Sequence, residues 1–167
     1  QDKQAGTPWI TKLPFPVHCV EKVTVRDKWR QTKFASTYSY HHGYFDGIER
    51  EFRGFGRVEQ RDVETYGKFM QGNIASPYIT ANHDLYQPPI KTITWYHTGA
   101  AFERDRILSA LKHEYYRIPG FTEHQLPEPT LTPADLSAEE WREALRACKG
   151  MVLRQEVFEL DVDALDK

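Results

Sequence analysis

Between Tyr38 and Gln60 the chain reads YSYHHGYFDGIEREFRGFGRVEQ, with glycines at 43, 47, 54 and 56 set among six tyrosines and phenylalanines. Aromatics at this spacing stack across neighbouring strands, and interspersed glycines let a strand turn sharply or bulge, so the stretch suits a sheet. Tyr38, Tyr40, Tyr44, Phe45, Gly47, Phe52, Gly54, Phe55 and Gly56 are the residues expected to build and assemble that sheet.

The flanking sequence extends it. Leu13-Pro14-Phe15-Pro16 is a stiff extended entry, because each proline fixes its own φ and biases the residue before it. Val17, Cys19, Val23 and Val25 share one parity and predict a strand over 17–26, with a turn over 27–33. Alternation from Phe34 to His42 predicts a second, antiparallel strand, and His42-Gly43 and Asp46-Gly47 offer turn or bulge sites. In Ile48–Gln60 acids, bases and aromatics share both parities, which predicts a strand wet on both faces. Residues 13–60 thus read as one antiparallel β unit.

Residues 61–89 carry Gly67, Gly72, Asn73, Pro77 and Pro88-Pro89, which break every candidate period, and read as irregular. Strand alternation returns over 90–98. Ile107, Leu108, Leu111 and Tyr115 predict a helix over 103–116 ended by Pro119-Gly120, and prolines 127, 129 and 133 predict an extended connector. Ser137 and Glu140 form a capping box, Leu136 and Trp141 occupy the staple positions, and Gly150 suits the helix end. Trp141, Ala144, Leu145 and Cys148 are that helix's inward stripe. A last strand is predicted over 150–161, so 103–149 reads as a helical insertion. The expected fold is mainly β, an antiparallel sheet with one or two helices packed on it.

At 167 residues, 40% hydrophobic, the chain can bury one sizeable core, and one compact unit is expected. A formal charge of −2 from 22 basic and 24 acidic residues gives no long-range attraction for nucleic acid. No run approaches the ~18 apolar residues of a membrane span. Cys19 and Cys148 belong to no CxxC pair and read as buried thiols. The polar start QDKQAGTPW lacks the regions of a signal peptide, and with the charged end DVDALDK it suggests a piece of something longer.

Three chemistries can be raised from the residues. His41, His42 and Asp46 suit a metal, but adjacent strand residues point to opposite faces, so sheet surface is the reading taken and no metal is assigned. Asp46 with Glu49 or Glu51 could form the carboxylate pair of a hydrolase, but Arg50 and Arg53 flank the two glutamates, and a solvated, ion-paired strand face is the reading taken. Tyr38, Tyr40, Tyr44 and Phe55 could stack a carbohydrate, though cross-strand packing uses the same residues. His113-Glu114 lacks the second histidine of a helical zinc motif. No catalytic residue and no cofactor are assigned, and the chain is read as non-enzymatic.

Several linked runs carry a resemblance. They are Leu13–Val17, Tyr40-His41-His42-Gly43-Tyr44-Phe45-Asp46-Gly47, Arg50–Glu59, Thr94-Trp95-Tyr96-His97-Thr98-Gly99 with His113-Glu114-Tyr115-Tyr116, and Leu145–Glu156. In this order they resemble the middle region of the B component, of TcdB/SpvB type, of bacterial insecticidal toxin complexes (Tc toxins). The resemblance implies a secreted virulence protein in which B and the Rhs-repeat C component build a hollow β-sheet shell around a toxic effector. A pore-forming A component would be the further partner. On that basis the chain is expected to be shell wall, with self-association possible through exposed strand edges.

Overall fold

The computed structural model describes residues 4, 6, 8–62, 66–82, 84, 88–123 and 133–160. Its elements are β1 (Lys22–Asp27), β2 (Thr32–Asp46), β3 (Glu51–Asp62), α1 (Tyr66–Asn73), β4 (Ile90–Tyr96), α2 (Arg104–His113), a 3₁₀ turn (Pro133–Asp135), α3 (Ala138–Ala147) and β5 (Val152–Glu159). The five strands form one sheet in chain order. β1 and β2 pair antiparallel, Lys22 opposite Thr37 and Asp27 opposite Thr32. At one end of β4 and β5, Gly150 donates to the His97 carbonyl and His97 to that of Met151. At the other, Leu160 donates to that of Pro89, so this pair is antiparallel too. The mainly β, antiparallel architecture with helical insertions is as expected, with three helices where one or two were predicted.

Packing divides the chain into two compact units. One comprises Gln1–Pro16, His41–Arg57 and Trp95–Arg154; the other comprises Val17–Tyr40, Val58–Thr94 and Gln155–Lys167.

The first unit holds most of the buried apolar side chains, namely Trp95, Ala100, Ile107, Leu111 and Leu145. α2 buries Ile107 and Leu111, one turn apart on one face, and Tyr115 just beyond it meets Trp95 edge-on at 4.9 Å. It starts at Glu103, whose φ of 56° is left-handed, and closes at Glu114, two residues short of the prediction. α3 starts as its sequence dictates. The Ser137 side chain accepts from the Glu140 amide, and the Glu140 carboxylate accepts from the Ser137 amide. Leu145 is buried, and Trp141, Ala144 and Cys148 are half-buried beside it.

The second unit is thinly cored: among its described residues Ala35 is the one buried hydrophobic side chain. Asp27 Oδ1 accepts from the amides of Trp29 and Arg30 and so shapes the β1–β2 turn. α1 occupies part of the stretch read as irregular. Eight residues with two glycines and no periodic apolar face do not announce a helix, and tertiary contacts hold it. Phe69 packs on Phe34 at 5.9 Å, and buried Asn73 accepts from the Lys33 amide at 2.6 Å while donating to the carbonyls of Lys33 and Phe69. Asn73→Ala is expected to cost about 1–3 kcal/mol, the range for leaving buried backbone groups unsatisfied. Chemical denaturation checks this, and a loss within error would show that α1 holds without the clamp.

Other expectations fail for physical reasons. β1 begins at Lys22 rather than residue 17, and its apolar face stays open, with Val23 and Val25 exposed. Cys19, predicted buried, is exposed on the segment that leads into β1, and Cys148 is half-buried. β2 does not end at His42 but runs on to Asp46. Most of the proline-rich connector lies outside the described residues. β3, predicted wet on both faces, buries Arg53, Gly56 and Glu59. Gly54, at φ 94°, takes a left-handed conformation open to glycine without steric cost, and it shifts the strict alternation on which that prediction stood.

Candidate functional site

In the first unit two buried polar junctions gather the charged residues that the sequence spreads out. The first centres on Glu114, at the C-terminal cap of α2. Its Oε1 lies 2.7 Å from His42 Nε2, and its Oε2 accepts from the Trp95 indole at 3.0 Å and from Arg57 Nη1 at 3.1 Å. The His42 ring is spoken for on both sides, since its Nδ1 accepts the Ile10 amide at 3.1 Å. That bond uses Nδ1 as the acceptor, so Nε2 is the nitrogen that donates to Glu114. Burial pushes the Glu114 carboxyl up, but the bonds from His42 and Trp95 and the positive charge nearby outweigh it and hold the group at about 2.

The second junction centres on Arg53, whose side chain is fully buried. Nη2 sits 2.8 Å from Asp46 Oδ2, Nη1 donates to the Gly99 carbonyl at 2.7 Å, and Nε lies 3.5 Å from Glu51. Asp46 also accepts from the amides of Ile48 and Glu49, closing the β2–β3 turn. Glu51 reaches outward to Lys149 and Arg146, and the Lys149 hydrogen bond holds its carboxyl below the usual range. Gly99 has a φ of 70°, and a Cβ there would come within 3.1 Å of the Leu145 carbonyl, so the backbone can meet Arg53 only without a side chain. Next to it His97 Nδ1 accepts from the Gly99 amide at 2.8 Å, and burial, with Arg104 nearby, pushes its imidazole down.

The candidate hydrolase residues are therefore committed elsewhere. Asp46 serves Arg53 and the turn, Glu49 pairs with Arg142 at 2.9 Å, and His42 uses both ring nitrogens. His41 and His42 do not converge, their rings being 6.3 Å apart, and no cluster of three metal-ligating side chains occurs among the described residues. A shallow cleft is lined by Ile10, Thr11, Lys12, Tyr44, Glu103 and Arg106, the last two paired with each other. Burial, with Asp46 close by, pushes the Tyr44 hydroxyl up.

The aromatic and glycine set is used for packing. Phe45 meets Phe15 edge-on at 5.1 Å, and Phe55 is met edge-on by Phe52 at 5.4 Å and Trp9 at 6.2 Å. Gly56 admits the His42 side chain and Leu111, and Gly47 lies in the β2–β3 turn with open space around it. In the second unit the Tyr40 hydroxyl donates to the Val20 carbonyl at 3.1 Å, and Tyr38 is half-buried, its amide bonded to the Glu21 carbonyl. Sequence reasoning missed Arg53, Arg57 and Glu114 as centres. Arg57 and Glu114 are 57 residues apart and His42 and Glu114 are 72 apart, separations at which no local pattern connects them.

Residues 1–84 match a family model described as the insecticide toxin TcdB middle/N-terminal region. No curated protein matches the chain. Among solved structures, TcdB2-TccC3-Cdc42 is similar over 96% of this chain, at 31% identity and a TM-score of 0.66. TcdB2-TccC3 without its hypervariable C-terminal region is similar over 89%, at 32% identity and a TM-score of 0.63. A Tc holotoxin pore of Photorhabdus luminescens, with a substitution in TccC3, is similar over 89%, at 34% identity and a TM-score of 0.60. The chain spans 6–7% of the length of the chains it matches in these structures. Half of its residues follow the family model, and nearly all of its length follows the fold of TcdB2 complexes: the chain belongs to the TcdB family of insecticidal toxin proteins, in their middle/N-terminal region.

Proposed function

We propose that this chain is a structural segment of a toxin-complex B component, a piece of the wall of a hollow β-shell that encloses a toxic effector. The observation that carries the reading is a sheet that leaves apolar side chains uncovered. β1 and β5 are its outermost strands, and Val23, Val25, Val152 and Val157 on them are exposed. Such edges invite further strands. The likeness to TcdB2-TccC3 complexes supports an Rhs-repeat C component as partner and the pore-forming A component as the wider assembly. It also supports secretion as part of a toxin complex. The role is non-enzymatic in this reading, because Asp46, Glu49 and His42 each serve an ion pair, a turn or a hydrogen bond. Tyr38, Tyr40, Tyr44, Phe45, Gly47, Phe52, Gly54, Phe55 and Gly56 are assembly residues by the same reading.

The test is to co-express the B component that carries this segment with its C component and follow proteolysis of the effector. The expected result is a protected effector that becomes cleavable when residues 17–60 are deleted. An effector equally protected without them would overturn the wall role. The isolated chain is expected to associate as its concentration rises, and a strictly monomeric sedimentation profile would count against open edges. Turnover of a glycoside lost in Glu49→Gln or Asp46→Asn, with folding intact, would point instead to a hydrolase.

A further inference from the structure

The extended lead, residues 8–16, is fastened to the rest of the first unit by polar bonds at Ile10 and Thr11. The Ile10 amide donates to His42 Nδ1 at 3.1 Å, the Thr11 hydroxyl donates to the Gly43 carbonyl at 2.8 Å, and Arg106 reaches the Ile10 carbonyl at 3.3 Å. Around them Trp9 and Phe15 meet Phe55 and Phe45 edge-on, and Leu13 closes over Gly43, where a Cβ would make the Leu13 side chain move. His42 is only 4% exposed and takes the left-handed conformation, φ 56°, which is uncommon for a residue with a side chain. That backbone turn coincides with a ring held between the lead on one side and Glu114 on the other.

We propose that His42 is an acid-released clasp: gain of a proton at its Nδ1 breaks the Ile10 bond and frees the lead, while the rest of β2 stays paired. The reason is steric and electrostatic. A neutral imidazole has one acceptor nitrogen, and an imidazolium has none, so two N–H groups would face each other at Nδ1. Nε2 already carries its proton towards Glu114, so Nδ1 is the one position that a second proton can take. Histidine is the side chain whose ordinary charge change falls between about pH 5 and pH 8.

Charged and titratable groups approach the ring and its Ile10 partner from several elements, Arg106 of α2 among them through the Ile10 carbonyl. Glu114 at the end of α2 bonds to it directly, and Arg57 of β3 faces it through Glu114. His41 is its neighbour in β2, with the ring centres 6.3 Å apart. β4 contributes the neutral indole of Trp95 and the lead contributes the Ile10 amide. Glu114 can accept from an imidazolium as well as from the neutral ring, so protonation keeps that bond and sacrifices the one to the lead.

Hydrogen exchange read by peptide mass spectrometry tests the clasp, with rates corrected for the intrinsic effect of pH. Between about pH 7.5 and pH 5.5 the amides of Ile10, Thr11, Lys12 and Leu13 are expected to lose protection by about tenfold or more, with β2 amides unchanged. In His42→Asn the side-chain oxygen can still accept the Ile10 amide, asparagine tolerates the left-handed backbone, and nothing titrates. The loss should vanish. Ile10→Pro removes the donor without touching the ring, and Thr11 to Leu13 should then be unprotected at both pH values. A wild-type lead whose protection does not change with pH overturns the clasp, as does a loss that persists in His42→Asn. Should His42→Asn fail to fold, Ile10→Pro decides, because a pH-dependent lead in that variant also overturns it.

Discussion

Arg53→Ala is expected to cost about 3–5 kcal/mol, the range for breaking a buried ion pair by removing one partner. The size comes from what stays behind. Asp46, with only 8% of its side chain exposed, loses the guanidinium 2.8 Å away, and the Gly99 carbonyl loses a 2.7 Å hydrogen bond. Arg53→Lys should recover only part of the loss, because an ammonium is a point donor and cannot reach Asp46 and Gly99 together in the guanidinium's planar geometry. Urea denaturation at neutral pH measures both variants. A cost below about 1 kcal/mol for Arg53→Ala would mean that the junction is wetter than its burial implies.

Glu114→Gln should produce the second large effect, and it carries a pH signature. The carboxyl titrates at about 2 in the folded chain against 4.5 for an unperturbed group. Its folded form is thus favoured as the anion, and the contribution is complete above the unfolded value and fades as pH falls from 4.5 towards 2. A shift of that size corresponds to about 3 kcal/mol, of which about three fifths is gone by pH ~3. The glutamine variant keeps an acceptor for His42 or Trp95 but presents an amide to Arg57. It should therefore be less stable by about 3 kcal/mol at neutral pH, with the gap narrowing on acidification. Denaturation curves at both ends of that interval check it, and a gap that stays constant from neutral to acid would exclude a depressed Glu114 carboxyl as the cause.

Both variants act on residues whose importance was only half visible in the sequence. The α3 capping box was fully legible because Ser137 and Glu140 are three residues apart and satisfy each other locally. The inward face of α2, Ile107 and Leu111, was legible for the same reason of local periodicity. α1 was not, since its stability comes from Asn73 clamping Lys33, 40 residues away, and not from its own composition. The acids and bases of β3 read as a wet, ion-paired face. Gly54 and the counter-charges of Asp46 and Lys91 put Arg53 and Glu59 inside instead.

Left to itself, then, the sequence determined what depends on near neighbours. From the stretch Tyr38–Gln60 it determined a glycine-bent, aromatic-stacked antiparallel sheet, and its linked runs pointed to the TcdB family that the comparison with known folds shows. Only the tertiary structure decided where the charges go. A side chain's parity on a strand says which way it leaves the backbone while the alternation holds, and left-handed residues at His42 and Gly54 interrupt it. A buried charge survives only where partners from elsewhere in the chain meet it. For Glu114 those partners are His42, Arg57 and Trp95, which come from three different strands and share one carboxylate only once the chain has folded.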